Sequence, residues 1–404
     1  MSFYPTALIY KEKIMDEKLY YGRGKDCDNK KLIAFLDEVF FTDDPPERKR
    51  DFVSILPKIY HDEYRPAYNN FVVQEENGDF RAAVGNFNID LDVCGEKIKA
   101  CCIGNVAVGL QYRSMGYMVD LMQMSVEEMM KNGTDLAYLG GQRQRYGYFG
   151  FEASGVSYNF EFNKKTAKHI YGGRKSALRA EKLDENDLET IKKIDGLYQK
   201  NTIKANRPLD SYYRIITSWR HTPYVVYDGD EFAGYFLMGY DYNWISECAV
   251  TKPEYFGELA LAALEISEQE SVRFNAAPFD KEKHGYFTVN SENISVGGCE
   301  SLLVLNYEKV LCAYLKAKAS YTSLADGELT VLIHGKKADE KLKIAVKDNN
   351  VTVEKFDGEP EIEFSHTEAT RAFLSNFTFE REKLNGAAQQ WFPLPAFIFS
   401  TDQM

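Results

Sequence analysis

The sequence predicts a mixed α+β and α/β protein built from several domains. Its 404 residues exceed what one hydrophobic core usually organises. Residues 101–139 contain an apolar run, a helical period and a second apolar run, which is the pattern of a β-α-β unit. Residues 329–333, 342–346 and 351–355 alternate apolar and polar side chains, which indicates an antiparallel sheet near the end of the chain.

The β-α-β unit begins with residues 101–108, whose length and β-branched content are typical of a buried strand. A turn follows at 109–116, and a helix is predicted from Gly116 to Asn132-Gly133. Residues 135–139 form the second apolar run. One helical face of the unit is apolar, and its members are Met118, Leu121, Met122, Ser125 and Met129.

The turn before the predicted helix is suited to an anionic phosphate. The first N–H groups of a helix have no intrahelical partner, and the helix dipole adds partial positive charge there. Arg113 adds a full positive charge to this turn. Taken alone, Arg-x-x-Gly also fits an ordinary surface loop that precedes a core-packed helix.

A second motif, Tyr146-Gly-Tyr-Phe-Gly-Phe151, follows the β-α-β unit. With Arg113-Ser114-Met115-Gly116, it resembles the GNAT acetyltransferases, in detail those of the enhanced intracellular survival (Eis) type. The resemblance implies that Arg113, Ser114, Met115 and Gly116 hold the pyrophosphate of acetyl-CoA. This sequence has Met118 and Leu110 where GNAT proteins commonly have a small residue and a proline.

The same resemblance assigns the other donor contacts and the catalytic groups. It implies that the strand Val106-Ala107-Val108 pairs with the pantetheine arm, with the Val108 N–H polarising the thioester carbonyl. Tyr146 is expected to be the general acid, because a phenol with a reference pKa of about 10 keeps its proton at neutral pH. The alternative is that Tyr146 is one of 27 tyrosines used for packing.

The carboxylate of Met404 is implied as the base, since the family threads its C-terminus back into the active site. A carboxylate with a reference pKa of about 3.5 is a poor base for an ammonium group unless it is desolvated. Its role is then mainly electrostatic, and a solvated terminus is the alternative interpretation. The six histidines are scattered and offer no competing nucleophile motif.

The resemblance extends to the whole chain and divides it into three domains. Residues 1–165 are predicted as the catalytic acetyl-CoA-binding GNAT domain. Residues 166–292 are predicted as a degenerate second GNAT-like domain, because no Arg-x-x-Gly precedes the helix expected at 259–269. Residues 293–404 are predicted as a sterol-carrier-like α+β domain.

Local patterns predict the remaining elements of the first domain. Helices are expected at 29–41 and 48–59, and an Asn-Gly turn predicts a hairpin of residues 70–74 and 80–84. Separate strands are expected at 87–93 and 156–162, the latter closing the first domain.

Local patterns also predict elements of the two later domains. In the second domain, a helix is expected at 184–199 and strands at 224–227, 232–237 and 245–250. In the third, helices are expected at 307–317 and 366–374.

Composition excludes several classes of protein. The net charge of −12 argues against nucleic acid as the main partner, which needs a concentrated basic surface. The seven cysteines lie mostly in apolar contexts without metal-ligand spacing, so reduced thiols and no metal are expected. Neither an 18-residue apolar run nor a leader-like pattern at Met1–Pro5 is present, so no membrane association and a cytoplasmic location are expected.

These observations predict an acetyl-CoA-dependent N-acetyltransferase. Its acceptor is expected to be the primary amine of a small cationic molecule or an exposed lysine, and the resemblance implies a homo-oligomer. The alternative function is a non-catalytic acyl-CoA or lipid-binding carrier or sensor, which would bind the thioester without turnover.

Overall fold

The computed structural model describes residues 18–45, 49–376, 378–384 and 386–404. The prediction that Met1–Pro5 is not a leader lies outside these residues. None of the helices in these ranges combines the length and the apolar character that a membrane span requires.

The described residues contain twelve α-helices and nineteen strands. The helices are α1 (Asn29–Phe41), α2 (Phe52–Ile55), α3 (Tyr117–Asn132), α4 (Arg143–Tyr146), α5 (Lys164–Tyr171), α6 (Leu188–Tyr198), α7 (Tyr212–Thr217), α8 (Tyr255–Ser267), α9 (Lys281–Asn290), α10 (Tyr307–Ala319), α11 (His366–Leu374) and α12 (Ala388–Trp391). The strands of the first half are β1 (Leu19–Arg23), β2 (Asn70–Glu75), β3 (Phe80–Val93), β4 (Glu96–Val108), β5 (Leu136–Leu139), β6 (Glu152–Ser154), β7 (Ser157–Asn163), β8 (Arg179–Lys182) and β9 (Ile203–Ala205). Those of the second half are β10 (Thr222–Asp228), β11 (Glu231–Met238), β12 (Trp244–Val250), β13 (Ser271–Ala276), β14 (Asn293–Gly297), β15 (Glu300–Val304), β16 (Gly327–His334), β17 (Asp339–Lys347), β18 (Asn350–Lys355) and β19 (Ile362–Ser365).

The first sheet has the order β1-β2-β3-β4-β5-β15-β6, with β9 paired to β3. Strands β1 to β4 are antiparallel, and β5 joins β4 in parallel through the crossover helix α3. The buried face of α3 includes Leu121, Met122, Ser125 and Met129, as the helical period predicts. The helix ends at Asn132, and Gly133 follows in the left-handed conformation. The predicted β-α-β unit is therefore confirmed.

Strands β4 and β5 separate after a short parallel contact. Their pairing covers only Ala100 to Cys102 against Leu136 to Tyr138. Beyond Cys102, β4 carries a bulge at Asn105, whose φ is 38°. Tyr60 donates a hydrogen bond to the Asn105 side-chain oxygen (2.7 Å), and Asn105 donates to Asn70 (2.6 Å). These bonds fix the bulge, which bends the strand and opens a gap beside β5.

The second sheet has the order β14-β7-β13-β12-β11-β10-β8. Its strands β10, β11 and β12 are antiparallel, and β13 joins β12 in parallel after the crossover helix α8. This order resembles that of β2 to β5 with α3. At the start of α8 the N-cap residue is Glu254, and no Arg-x-x-Gly precedes it.

The third sheet has the order β18-β17-β16-β19. Helix α10 lies against both β18 and β4, so the first and third sheets share one hydrophobic core. The C-terminal segment from Trp391 to Phe399 is buried in the same core. The chain then runs from the third sheet back to the first sheet.

Two local predictions are wrong. The break expected between strands 80–84 and 87–93 does not occur, and residues 80–93 form the single strand β3. Gly85 does not turn the chain but lets β3 approach the bulge of β4, since a Cβ on Gly85 would lie 2.3 Å from the Asn105 side-chain oxygen. The helix expected at 48–59 is only the turn α2 from Phe52 to Ile55. Asp51 caps its start and Pro57 prevents its continuation, while residue 48 lies outside the described residues.

Sheet membership also differs from the predicted order. Strand β7, expected to close the first domain, pairs with β13 and β14 of the second sheet, while β9 and β15 join the first. The boundaries at 165 and 292 therefore separate strands that share a sheet. The order of strands along the chain could not reveal this exchange, because hydrogen bonding between strands within a sheet, and not proximity in sequence, decides which strands are neighbours.

Candidate active site

The turn between β4 and α3 is held against β3 by a polar network. Arg81 donates to the Tyr117 hydroxyl (2.8 Å) and to Glu75 (2.9 Å), which also accepts from the Tyr112 hydroxyl (2.8 Å). The Arg81 guanidinium lies 4.8 Å from the Tyr112 ring centroid. Hydrogen bonds from Tyr112 and Arg81 lower the pKa of Glu75. The turn therefore has a fixed shape before any ligand arrives.

Arg113, Ser114 and Met115 lie exposed on this turn. Ser114 and Gly116 have φ values of 69° and 86°, so the chain enters α3 through two left-handed residues. No side chain caps the helix start among the described residues. The helix N-terminus and the Arg113 charge therefore face solvent together, which is the arrangement predicted for a phosphate site.

The exposed edge of β4 offers backbone donors to the gap beside β5. The Gly109 N–H donates to the carbonyl of Arg81 on β3 (3.0 Å). Because N–H groups alternate along an antiparallel strand, the Val108 and Val106 N–H groups point to the opposite edge, into the gap. The Ala107 side chain is buried in the core beneath α1 and does not reach the gap.

Tyr146 lies in a buried position on α4, at the mouth of the gap. Its ring packs so closely on Gly141 that a Cβ there would lie 2.6 Å from the Tyr146 Cε2. Burial raises the pKa of Tyr146 and the neighbouring Arg145 opposes that rise, so the phenol keeps its proton at neutral pH. Tyr148 of the same motif is 66% exposed and lies on the protein surface.

A buried ion-pair network fixes the C-terminal segment. Arg207 donates to Asp402 at 2.8 and 2.9 Å and to Glu247 at 2.8 and 3.0 Å. Its side chain is fully buried and stacks on the Tyr198 ring at 3.7 Å. Tyr198 donates a further bond to Asp402 (3.1 Å). Arg207 therefore links Asp402, near the end of the chain, to Glu247 of the second sheet.

Residues near β4 hold the same segment from the other side. Lys58 donates to the carbonyls of Thr401 (2.5 Å) and Gln403 (2.7 Å), and burial lowers its pKa to about 8. Met404 lies against Gly104, since a Cβ built on Gly104 would be only 3.3 Å from the Met404 carbonyl carbon. The main chain of Met404 thus reaches the bulged part of β4.

One cavity of about 800 Å³ brings several of these residues together. Val106, Tyr146 and Met404 line it, together with Gly104 and Arg145. Arg113, Ser114, Met115 and Gly116 do not line it, since they lie at the far end of β4. A donor bound along β4 therefore has to extend from the turn at 113–116 to Tyr146.

A second cavity of about 550 Å³ adjoins the first and shares Gly140, Trp219, Tyr240 and Met404 with it. Glu300, at the start of β15, and the buried His221 face this smaller cavity. Sequence patterns did not single out Glu300, and His221 appeared only among the scattered histidines. Glu300 lies at this cavity because β15 joins the first sheet. The order of strands along the chain does not indicate that placement.

Burial of Glu300 predicts a pH-dependent effect on stability. Desolvation raises its pKa from 4.5 to about 7, so the folded protein binds the proton more tightly than the unfolded chain. The resulting destabilisation is absent below pH 4.5, grows as the pH rises to about 7 and then stays constant. Glu300→Gln should therefore raise the free energy of unfolding by on the order of 3 kcal/mol at pH 8.

Thermal and denaturant unfolding at pH 4.5 and pH 8 test this prediction. The exposed Glu354 supplies a matched control, and Glu354→Gln should behave like the wild type at both pH values. A Glu300→Gln variant no more stable than the wild type at pH 8 would contradict the burial argument.

No group of three or more His, Cys, Asp or Glu side chains suited to a metal ion occurs in the part of the chain that the structure describes. The seven cysteines are free thiols, and burial raises the pKa of Cys102 to about 12.

Residues 22–154 match the family model of the acetyltransferase (GNAT) domain. A protein of Enterococcus faecalis described as a probable N-acyltransferase has a TM-score of 0.65 at 13% identity, with 94% of this chain and 97% of that chain covered. A GCN5-related N-acetyltransferase from Anabaena variabilis has a TM-score of 0.65 at 15% identity, covering 96% and 100%.

Eis1 from Mycobacterium abscessus has a TM-score of 0.54 at 13% identity, covering 83% of this chain and 89% of that chain. At such identities these likenesses concern the fold. No curated protein matches the sequence. Residues 22–154 therefore match a GNAT acetyltransferase domain, and this match indicates an N-acyltransferase that uses an acyl-CoA co-substrate.

Proposed function

We propose that the protein transfers an acetyl group from acetyl-CoA to the primary amine of a small cationic molecule or an exposed lysine. The observation that carries this proposal is the meeting of Tyr146, Met404 and the exposed edge of β4 at one cavity. Acyl transfer needs a held donor, a polarised carbonyl, a proton for the leaving thiolate and an amine without its proton. The chain offers a group for each need.

In this proposal the donor lies along the gap between β4 and β5. The diphosphate binds at residues 113–116, where Arg113 and the N-terminus of α3 supply positive charge. The pantetheine arm pairs with the free edge of β4 at Val106 and Val108, as an added strand would. The Val108 N–H then donates to the thioester carbonyl as negative charge develops on its oxygen.

Tyr146 protonates the thiolate that leaves when the carbon–sulfur bond breaks. Its raised pKa keeps the phenol protonated throughout the neutral range, so the acid is available whenever the substrate is bound. Met404 carries the terminal carboxylate in this proposal. Its negative charge beside Gly104 stabilises the cationic amine and the positive charge that forms on the nitrogen during attack.

The test of this function is CoA release from acetyl-CoA in the presence of an amine panel. Spermidine, an aminoglycoside and a lysine-containing peptide represent the three acceptor classes, and N-acetylated product is identified by mass spectrometry. Amine-dependent release of CoA with matching product supports the proposal. Binding of acetyl-CoA without amine-dependent turnover would instead support a carrier or sensor.

Arg113→Ala tests the diphosphate site. Losing one charge-assisted contact should raise the KM for acetyl-CoA roughly tenfold, about 1.4 kcal/mol, with little change in kcat. Lys131→Ala is the matched control because it removes a charge from the opposite end of α3. Equal KM values for the two variants would exclude residues 113–116 as the phosphate site.

Extension of the chain beyond Met404 tests its carboxylate. A Gly-Ser addition moves the terminal charge away from Gly104 while the Arg207 network stays intact, so kcat should fall at least tenfold. The KM for acetyl-CoA, measured in the same assay, should change little. An extended protein with wild-type kcat would remove the carboxylate from the mechanism.

The remaining parts of the chain support the same proposal. The order β10-β11-β12-α8-β13, which resembles that of the first sheet but lacks the phosphate turn, favours a degenerate GNAT-like copy that shapes the acceptor side. The third sheet with α10 and α11 is proposed as the sterol-carrier-like domain, which positions the C-terminal segment. Homo-oligomerisation and a cytoplasmic location remain predictions.

A further inference from the structure

Two buried polar atoms facing the smaller cavity lack a hydrogen-bond partner within the described ranges. They are the His221 Nε2 atom and the Ser400 Oγ atom. The Glu300 carboxylate faces the same cavity and is partly desolvated there. Polar groups buried without a partner are rare in native proteins, and each raises the free energy of the folded state. Two of them at one cavity, beside a desolvated carboxylate, indicate a site shaped for a polar ligand.

The available lone pairs define what that ligand must offer. His221 Nδ1 lies 2.7 Å from the Ser218 carbonyl, which can only accept, so Nδ1 carries the proton and Nε2 is an acceptor. Burial also lowers the pKa of His221, which keeps the ring neutral. A carboxylate and an imidazole lone pair both accept, so the complementary ligand group is a cation with several N–H donors. A primary ammonium meets this requirement.

The walls of the cavity suit the same ligand class. Trp219, Tyr240 and Trp244 line it, and their rings can contact an alkyl chain or the face of a cation. Gly140 and Met404 border both cavities, and a Cβ on Gly140 would lie 3.2 Å from a Glu300 carboxylate oxygen. Glu300 therefore stands where the smaller cavity opens toward the proposed acyl donor.

We propose that Glu300, His221 and Ser400 form the ammonium-binding subsite for the acceptor, and that Glu300 is the base that removes its proton. This inference rests on the proposed acetyl transfer and gives the main basic role to Glu300. Met404 then contributes negative charge only.

The surroundings of Glu300 favour this role over the terminal carboxylate. The titratable and charged groups that face the cavity with it are Cys102, Tyr138, His221, Tyr240, Asp241, Arg273 and Met404. Desolvation raises the pKa of Glu300 to about 7, which brings it closer to that of an alkylamine, about 10.4 for lysine. A terminal carboxylate with a pKa of about 3.5 is a far weaker base.

The reaction replaces the carbon–sulfur bond of the thioester by a carbon–nitrogen bond. The ammonium gives one proton to the Glu300 carboxylate, and the nitrogen lone pair forms the carbon–nitrogen bond at the thioester carbonyl. The carbon–sulfur bond breaks, and the thiolate takes the Tyr146 proton. The second nitrogen proton returns to the Tyr146 phenolate, and Glu300 releases its proton to solvent.

The experiment compares n-hexylamine with 1-hexanol, its neutral analogue, by calorimetric titration into the full-length enzyme saturated with CoA. Hexylamine is a cation at both pH 6 and pH 8, whereas Glu300 ionises between them. The wild type should prefer hexylamine over hexanol, and its affinity for hexylamine should fall up to about tenfold from pH 8 to pH 6.

Two variants separate the roles of Glu300. Glu300→Gln should lower hexylamine affinity at least tenfold, lose its pH dependence and leave hexanol binding unchanged. Glu300→Ala should lower hexylamine acetylation by about 10²-fold, with partial rescue by added formate. The exposed Glu354→Gln and Glu354→Ala are the matched controls and should behave like the wild type.

Equal affinity for hexylamine and hexanol in the wild type, or unchanged hexylamine binding in Glu300→Gln, would overturn the subsite. If Glu300→Gln loses hexylamine binding but added formate does not restore hexylamine acetylation in Glu300→Ala, the role of Glu300 as base is overturned. Amine-dependent CoA release by the wild type, measured with the same amine panel, separates these failures from that of the proposed function. If CoA is released with matching N-acetylated product, only the inference fails. If acetyl-CoA is bound without turnover or is not bound at all, the proposed function fails as well.

Discussion

Arg207→Met should lower the free energy of unfolding by about 3–5 kcal/mol, the effect of breaking a buried ion pair. The substitution keeps a long side chain but leaves Asp402 and Glu247 as buried, uncompensated carboxylates. It should also lower kcat at least tenfold, because Asp402 no longer holds the segment that brings Met404 to Gly104. Denaturant unfolding and steady-state kinetics on the same preparation measure both effects.

The control for this variant is Arg179→Met. Arg179 pairs with Glu181 on the surface, where both side chains are about half exposed, so its removal should change stability by less than about 1 kcal/mol. An Arg207→Met protein that loses stability but keeps wild-type kcat under folded conditions would show that the position of the C-terminal segment is irrelevant to turnover.

Tyr146→Phe should lower kcat by about 10²- to 10⁴-fold with little change in the KM for acetyl-CoA. The ring and its packing on Gly141 are kept, so only the proton donor is lost. Because burial raises the pKa of Tyr146, the wild type should not lose activity through ionisation of this group at pH values up to about 10. The pH profile of kcat checks the second expectation.

Tyr148→Phe is the matched control, since it makes the same change two residues away on an exposed ring. It should have wild-type kcat. If Tyr146→Phe is also fully active, the general acid is a different group, and the cavity shared by Tyr146 and Met404 has another use.

Elements with a strong local pattern could be predicted from the sequence. Helix α1 and helix α11 have the expected bounds, and the left-handed Gly116 and Gly133 bracket α3 as the Gly signals indicate. These features depend on residues near in sequence, where helical period and backbone freedom decide the structure.

Features that depend on distant residues could not be predicted. The placement of β7 and β15 follows from which sheet each strand completes, and no local pattern encodes that choice. Arg207, Glu247 and Asp402 are far apart in sequence and form a network only after all three sheets assemble. Glu300 is an ordinary residue in the sequence and becomes notable only through burial beside a cavity.

A crystal structure of the protein with CoA bound would show whether the acyl donor lies along β4. We expect the diphosphate on the N–H groups at residues 113–117, the pantetheine arm along Val106 to Val108, and the sulfur atom within hydrogen-bond reach of the Tyr146 hydroxyl. CoA bound elsewhere on the protein, with the gap between β4 and β5 empty, would contradict this expectation.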